Sequence, residues 1–339
     1  MDDPGLQSSV PRLRRSAHHS GSDERRNAAL DFVPAHRFDG GVRGSFHAAG
    51  TDTASAAALA KSSDVAIVFA VQHESEGSDL PTLALSSQQE KLIRAVAAAN
   101  PHTIVVLESG GAVTMPWLGE VSAVLESWFP GIRGAQSIAA ILFGKVNPSG
   151  KLPITFPKSE ADLPHPVETK QPPGPMTSMP GMPGFKINTK IFDVHYDEGL
   201  DVGYKWYDDK HIQPLFPFGF GLSYTTFAYS GLKVSHGNAL TVSFQVRNTG
   251  DREGKEIAEV YATLPASAQE PPRRLIGWKK VDLKPGETKT VSLQVQPLYL
   301  SIFDVAQNKW ELVPGSYKVW VGGSERDLPL SENIQLGGQ

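Results

Sequence analysis

Val65-Ala66-Ile67-Val68-Phe69-Ala70-Val71, followed without a break by Gln72-His73-Glu74-Ser75-Glu76-Gly77-Ser78-Asp79, decides how the rest of the chain is read. An uninterrupted apolar run of this length predicts a strand buried on both faces of a sheet. Three carboxylates and a histidine crowd the loop just beyond it. Open α/β sheets place their ligand sites at the C-terminal ends of their strands. The loop is therefore either a functional site or a solvated acidic cap, and its position alone leaves both readings open.

Working outward, the elements around this strand alternate. The Ala-rich TASAAALAKSS predicts a short helix before it. After the loop, Ser87 with Glu90 three positions later is a capping-box pattern, and Leu92, Ile93, Val96 and Ala97 share one helical face. Asn100-Pro101 closes that helix. Residues 103–107 form a second apolar strand, ending in Glu108-Ser109-Gly110-Gly111. Residues 121–128 read as a third strand, ending in Phe129-Pro130-Gly131. A helix over 135–143 follows, with Ile138, Ala139 and Leu142 inward. Strand and helix in alternation at short intervals predict right-handed βαβ units and a mostly parallel sheet.

Upstream, residues 1–50 are rich in Arg, Ser, His, Gly and Asp, and only Phe32-Val33-Pro34 and Phe46 interrupt the polarity. That composition predicts a disordered or poorly packed leader, with the torn edge of a larger domain as the alternative. Downstream, residues 51–160 make a partial α/β sandwich domain. Residues 161–226 make a linker and an aromatic strip between domains, from the Pro- and Met-rich QPPGPMTSMPGMPG to Pro217-Phe218-Gly219-Phe220-Gly221-Leu222-Ser223-Tyr224. Over 227–330 the period changes to two. Short strands at 240–246, 257–264, 281–283, 290–295 and 317–321, with turns such as Lys284-Pro285-Gly286-Glu287, predict an immunoglobulin-like sandwich of the fibronectin type III kind.

Composition narrows the chemistry. The 339 residues hold 40% hydrophobic and 20% charged side chains, enough for real cores. A net charge of −4 gives no footprint for nucleic acid or for an anionic membrane surface. The absence of cysteine excludes disulfides, thiolate nucleophiles and Cys-ligated metals. No apolar run approaches a membrane span of about 18 residues, and the first residues lack the apolar core of a signal peptide. Localisation is left open, and nothing calls for a cofactor.

Six motifs in order are similar to those of glycoside hydrolase family 3, the β-glucosidase and β-xylosidase family. They are Glu74-Ser75-Glu76-Gly77-Ser78-Asp79, Met115-Pro116-Trp117-Leu118, Trp128-Phe129-Pro130-Gly131, Asn147-Pro148-Ser149-Gly150-Lys151-Leu152-Pro153, Gly203-Tyr204-Lys205-Trp206-Tyr207 and Phe216-Pro217-Phe218-Gly219-Phe220-Gly221-Leu222-Ser223-Tyr224. The resemblance runs over residues 51–324, the C-terminal half of such an enzyme. It implies a (β/α)8 barrel, an α/β sandwich domain and a fibronectin type III-like domain, and cleavage of β-glycosidic bonds with retention. The nucleophile would be an Asp in an Asp-Trp pair on the barrel, and this chain contains no Asp followed by Trp. The acid/base would be a glutamate on the sandwich-domain loop. Leu80 stands where the family usually has Arg, and Ile132-Arg133-Gly134-Ala135 departs from its more acidic, Gly-Gly pattern.

The residue types suit that chemistry, because a retaining hydrolase pairs an ionised carboxylate with a protonated one. Mutual repulsion among Glu74, Glu76 and Asp79 would hold one proton near neutral pH. Glu76, preceding Gly77, is favoured as proton donor over Glu74; His73 and Glu74 would line the leaving-group side, with Asp79 also in the substrate site. The expected partners are a β-glycoside or oligosaccharide and either a separate barrel chain or a second copy of this one. Without a barrel, the chain alone is expected to be a fragment or half of a split enzyme with little activity. The rival reading is a non-catalytic carbohydrate-binding or interaction module. A serine hydrolase at Ser109 lacks G-x-S-x-G, and a dinucleotide site lacks G-x-G-x-x-G. A metal held by His73, Glu74 and Asp79 lacks further ligands. Trp117, Trp206 and Trp278 could stack on a sugar, with burial in the core the expected role of each.

Overall fold

The computed structural model describes residues 31–35, 48–49, 51–75, 80–165, 173–184, 186–191, 193, 195–237 and 239–337. Glu76, Gly77, Ser78 and Asp79 lie outside the described residues.

The opening apolar run forms the centre of a five-stranded sheet. Its elements are β1 (Asp31–Ala35), β2 (Ala48–Ala49), α1 (Thr53–Lys61), β3 (Val65–Val71), α2 (Ser87–Ala99), β4 (Thr103–Glu108), β5 (Ala123–Glu126) and α3 (Gly134–Leu142). The strand order is β2-β1-β3-β4-β5. β3, β4 and β5 run parallel, with Val68 opposite Val105 and Leu107 opposite Glu126. Alternate side chains of β3 serve opposite faces. Ala66, Val68 and Ala70 pack with Ala56 and Ala60 of α1 and with Leu92, Ile93 and Val96 of α2. Ile67 packs with Val106 and with Ile138 of α3. Helices cover both faces, which is why the strand tolerates no polar position.

Two expectations change at this end of the molecule. Residues 31–35 and 48–49, assigned from sequence to a disordered leader, are strands: β1 pairs antiparallel with β3, Phe32 opposite Val68, and β2 pairs with β1. The cap of α2 is Ser86, whose side chain accepts from Gln89 N, and not Ser87. Buried Asn100 ends α2 by donating to Ala60 O at 2.9 Å and Ser63 O at 2.7 Å and accepting from His102 N at 2.8 Å. Both of its amide atoms are satisfied, so its burial is tolerated.

The stretch expected as a linker has structure of its own. β6 (Met176–Ser178) and β7 (Lys186–Asn188) form a small hairpin, and α4 (Tyr204–Asp209) follows. The remaining strands are β8 (Phe227–His236), β9 (Leu240–Asn248), β10 (Gly254–Thr263), β11 (Arg274–Leu283), β12 (Thr288–Val295), β13 (Ser301–Asp304), β14 (Lys309–Leu312), β15 (Gly315–Gly322) and β16 (Leu330–Leu336). They form antiparallel sheets ordered β11-β10-β15-β16 and β12-β9-β8, with the hairpin β13-β14 beside them. Leu240, Val242, Phe244 and Val246 of β9 face Ala258, Val260 and Ala262 of β10 and Val319 and Val321 of β15 in one core. The sandwich continues through β16 to Leu336, beyond the boundary of 330 read from the sequence.

The aromatic strip joins the two domains. Tyr204 packs against Phe218 and edge-on against Tyr261, and its hydroxyl accepts from Leu275 N at 2.8 Å. Asn147 donates to Glu253 O at 3.0 Å while its Oδ1 accepts from Tyr224 N at 2.7 Å and Ser223 Oγ at 2.8 Å. Arg273 donates to Asp208 Oδ2 at 2.8 Å and to Glu325 Oε1 at 2.8 Å, with Arg326 on the same two acids. Trp117 is fully buried, whereas Trp278, expected in the core, is 61% exposed.

Candidate active-site edge

The C-terminal ends of β3, β4 and β5 lie side by side, and each carries a polar residue. β3 extends one residue past its assigned end, with Gln72 N donating to Glu108 O at 3.0 Å. The base of the loop is clamped by α2: Gln89 Oε1 accepts from Val71 N at 2.9 Å and Gln89 Nε2 donates to Val71 O at 2.8 Å. On the far side of residues 76–79, Leu83 N donates to Glu160 Oε1 at 2.6 Å, Thr82 Oγ1 donates to the same oxygen, and Thr114 N donates to Leu83 O at 3.0 Å. Both ends of the acidic loop are thus anchored to the α/β domain.

Of the four candidate residues, the structure describes His73 and Glu74; Glu76 and Asp79 lie outside the described residues. His73 is exposed and Glu74 half-buried. Glu74 Oε1 accepts from Gly110 N at 2.8 Å, across from β3 to the turn after β4. That approach depends on glycine, because a Cβ at Gly110 would stand 2.2 Å from Glu74 Oε2 and 2.8 Å from Phe129 Cε2. The carboxylate of Glu74 and the ring of Phe129 therefore meet over the same backbone atom. Phe129 is 62% exposed and Ile132 fully exposed, so this edge presents apolar side chains beside an acid.

Behind this front lies a carboxyl that the sequence reading passed over. Glu126 ends β5, and its Oε1 accepts from Trp128 N at 2.7 Å. Its Oε2 lies 3.3 Å from Ser109 Oγ, which also donates to Gly111 O at 2.8 Å. Burial pushes the Glu126 carboxyl up to about 7, against the opposing effect of the hydrogen bonds from Trp128 and Ser109. Trp128 adopts a φ of 53°, a left-handed conformation unusual for a bulky residue, and its ring packs edge-on against Phe156. The Ser109 hydroxyl is engaged with Gly111 and Glu126, and no histidine is among its hydrogen-bond partners within the described residues. No group of three or more His, Cys, Asp or Glu able to hold a metal occurs among the described residues.

Comparison with known proteins agrees with this architecture. The glycosyl hydrolase family 3 C-terminal domain matches residues 5–224, and a fibronectin type III-like domain matches residues 256–325. The first match includes most of the segment expected as a leader. The chain is 41% identical over 292 residues to β-glucosidase B of Emericella nidulans, covering 83% of this chain and 34% of that protein. It is 38% identical over 291 residues to a β-glucosidase of Rhizobium radiobacter, covering 84% and 34%. Among solved structures it is similar to the β-glucosidase DesR of Streptomyces venezuelae in complex with D-glucose, with a TM-score of 0.73 and 39% identity over 84% of this chain and 35% of that one. The chain spans about a third of the length of the curated relatives it matches.

Proposed function

Because this chain belongs to glycosyl hydrolase family 3 through its C-terminal domain, we propose that it supplies the acid/base side of a retaining β-glucosidase site whose nucleophile stands on a barrel outside these residues. The observation that carries the proposal is the presentation of Glu74 at the parallel-sheet edge by Gly110 N–H, two residues before Glu76. In this reading Glu76 protonates the departing glycosidic oxygen and then takes a proton from the incoming water. The two reacting carboxyls of a retaining enzyme stand roughly 5–5.5 Å apart, so the barrel must approach the edge where Glu74 lies. Exposed Phe129 and Ile132 suit a face that a further domain covers. Glu74, His73 and the Phe129 ring would line the leaving-group side: a carboxylate to accept sugar hydroxyls and an aromatic face to stack on them.

General acid/base assistance contributes roughly 10²–10⁴-fold and does not replace a nucleophile. The 339-residue chain alone should therefore hydrolyse aryl β-glucosides little or not at all. Adding a separate polypeptide that carries a family barrel should restore hydrolysis. Full activity of the chain alone would refute the proposal, as would failure of every barrel that binds the chain to restore turnover. Calorimetry with glucose on the chain alone adds a second arm: tight binding without rescue would favour a carbohydrate-binding module instead.

A further inference from the structure

We infer that Glu126 is a proton-linked positioning residue: its protonation state decides where the single hydroxyl hydrogen of Ser109 goes, and so whether the turn that holds Glu74 is closed. The inference rests on the reading that Glu74 belongs to the substrate site, but its geometry stands by itself.

Ser109 Oγ has two acceptors in reach, Gly111 O at 2.8 Å and Glu126 Oε2 at 3.3 Å, and only one hydrogen to give. When Glu126 is protonated, its own O–H donates to Ser109 Oγ, and Ser109 donates on to Gly111 O. Every partner is satisfied, and the shorter bond is the one the structure shows as closing the turn. When Glu126 is ionised, both of its oxygens are acceptors. Oε1 keeps the N–H of Trp128 at 2.7 Å, and Oε2 draws the Ser109 hydrogen away from Gly111. Inside the turn closed by Ser109 and Gly111 sits Gly110, whose N–H donates to Glu74 Oε1. The proton on Glu126 thus acts on Glu74 through Ser109 and Gly110 without touching it.

Among the described residues, the groups facing Glu126 are few. Ser109 reaches it from the end of β4 and Trp128 from its own turn, while Glu74, from the loop after β3, is joined through Gly110. Burial is the leading cause of its raised pKa of about 7, and among the described residues no charged side chain figures among the causes. The switch therefore operates near neutrality, where a carboxyl at an exposed position would already be ionised.

Glu126→Gln separates this role from simple packing. Its amide oxygen still accepts from Trp128 N–H, and its NH2 donates permanently to Ser109 Oγ, mimicking the protonated acid. The experiment is amide hydrogen exchange by NMR on the full chain between pH 6 and 8, expressed as protection factors so that intrinsic base catalysis cancels. In the wild type the protection of Gly110 should fall about fivefold across this range, the effect of losing one ordinary hydrogen bond, with a midpoint shared by the Trp128 amide shift. In Glu126→Gln it should stay high at every pH; in Ser109→Ala it should be low at every pH. Flat protection in the wild type, or an unchanged pH profile in Glu126→Gln, would overturn the inference. No turnover is read, so failure of the barrel-rescue assay leaves this result standing, and the two fail separately.

Discussion

Glu74 and Gly110 are 36 positions apart in the chain, yet the Gly110 N–H points at the Glu74 carboxylate from 2.8 Å, and a methyl group at Gly110 would occupy the space of that carboxylate. Gly110→Ala should therefore push Glu74 and the Phe129 ring off the sheet edge. Both are partly exposed and free to swing outward, so thermal stability should change by less than about 1 kcal/mol. Hydrolysis restored by a barrel should fall by at least about tenfold, the cost of losing one oriented polar contact. Melting temperature and restored rate, measured on the same preparation, check the split.

Arg273 joins α4 to the sandwich through Asp208 and Glu325, which are 4% and 1% exposed. Arg273→Ala would leave two buried acids short of their main counter-charge, with Arg326 the one cation remaining on them among the described residues. Removing one partner from such a buried network costs about 3–5 kcal/mol. Urea unfolding should show that loss. Arg273→Lys should recover only part of it, because an ammonium does not reproduce the forked contacts to Asp208.

Much of this architecture was legible because it depends on apolar patterning. The run 65–71 could be nothing but a central strand, and the alternation in β9 shows directly as buried Leu240, Val242, Phe244 and Val246. What escaped depends on partners distant in sequence. β1 is five residues long, carries Pro34 and lies in a polar stretch, and its pairing with β3 and β2 makes it a strand. Ser86 and Ser87 are equally good caps on paper, and the entry angle of α2 selects the first. Trp278 lies beside a register shift opposite Val260 and Tyr261, where counting by two fails, and it ends on the surface. Glu126 fell inside the strand read over 121–128, and it becomes a terminus only because β5 stops at 126. Its one signal was a lone acid within the third strand, and its role becomes visible only with Ser109 and Trp128 against it.

Glu259 gives the fold a pH dependence whose sign can be worked out. Burial raises its carboxyl to about 7, helped by Glu256 and opposed by the Tyr261 hydroxyl and Lys151. Between roughly pH 4.5 and 7 the folded chain holds a proton that the unfolded chain has lost, so stability falls as pH rises through that window and stays reduced above it. Glu259→Gln keeps an acceptor for Tyr261 and removes the charge. The variant should gain on the order of 2 kcal/mol at pH 8 and little at pH 4.5. Denaturant titrations at the two pH values test this; an equal effect at both would assign the change to packing.

The choice between Glu76 and Glu74 rests on what a proton donor does to different leaving groups. An alkyl or sugar alkoxide departs poorly unless it is protonated, whereas a nitrophenolate leaves without help. If Glu76 is the donor, Glu76→Gln in the barrel-restored enzyme should slow alkyl β-glucosides by roughly 10²–10⁴-fold and activated aryl glucosides far less. Glu74→Gln should behave otherwise. Its amide still accepts from Gly110 N–H at the oxygen position, so the loss should appear mainly in KM and should not grow as the leaving group becomes poorer. A steep leaving-group dependence in Glu74→Gln and a flat one in Glu76→Gln would exchange the two roles. The same pair of variants also probes the loop itself. Glu74 is tied to the sheet through Gly110, so Glu74→Gln changes a side chain that the turn after β4 holds in place.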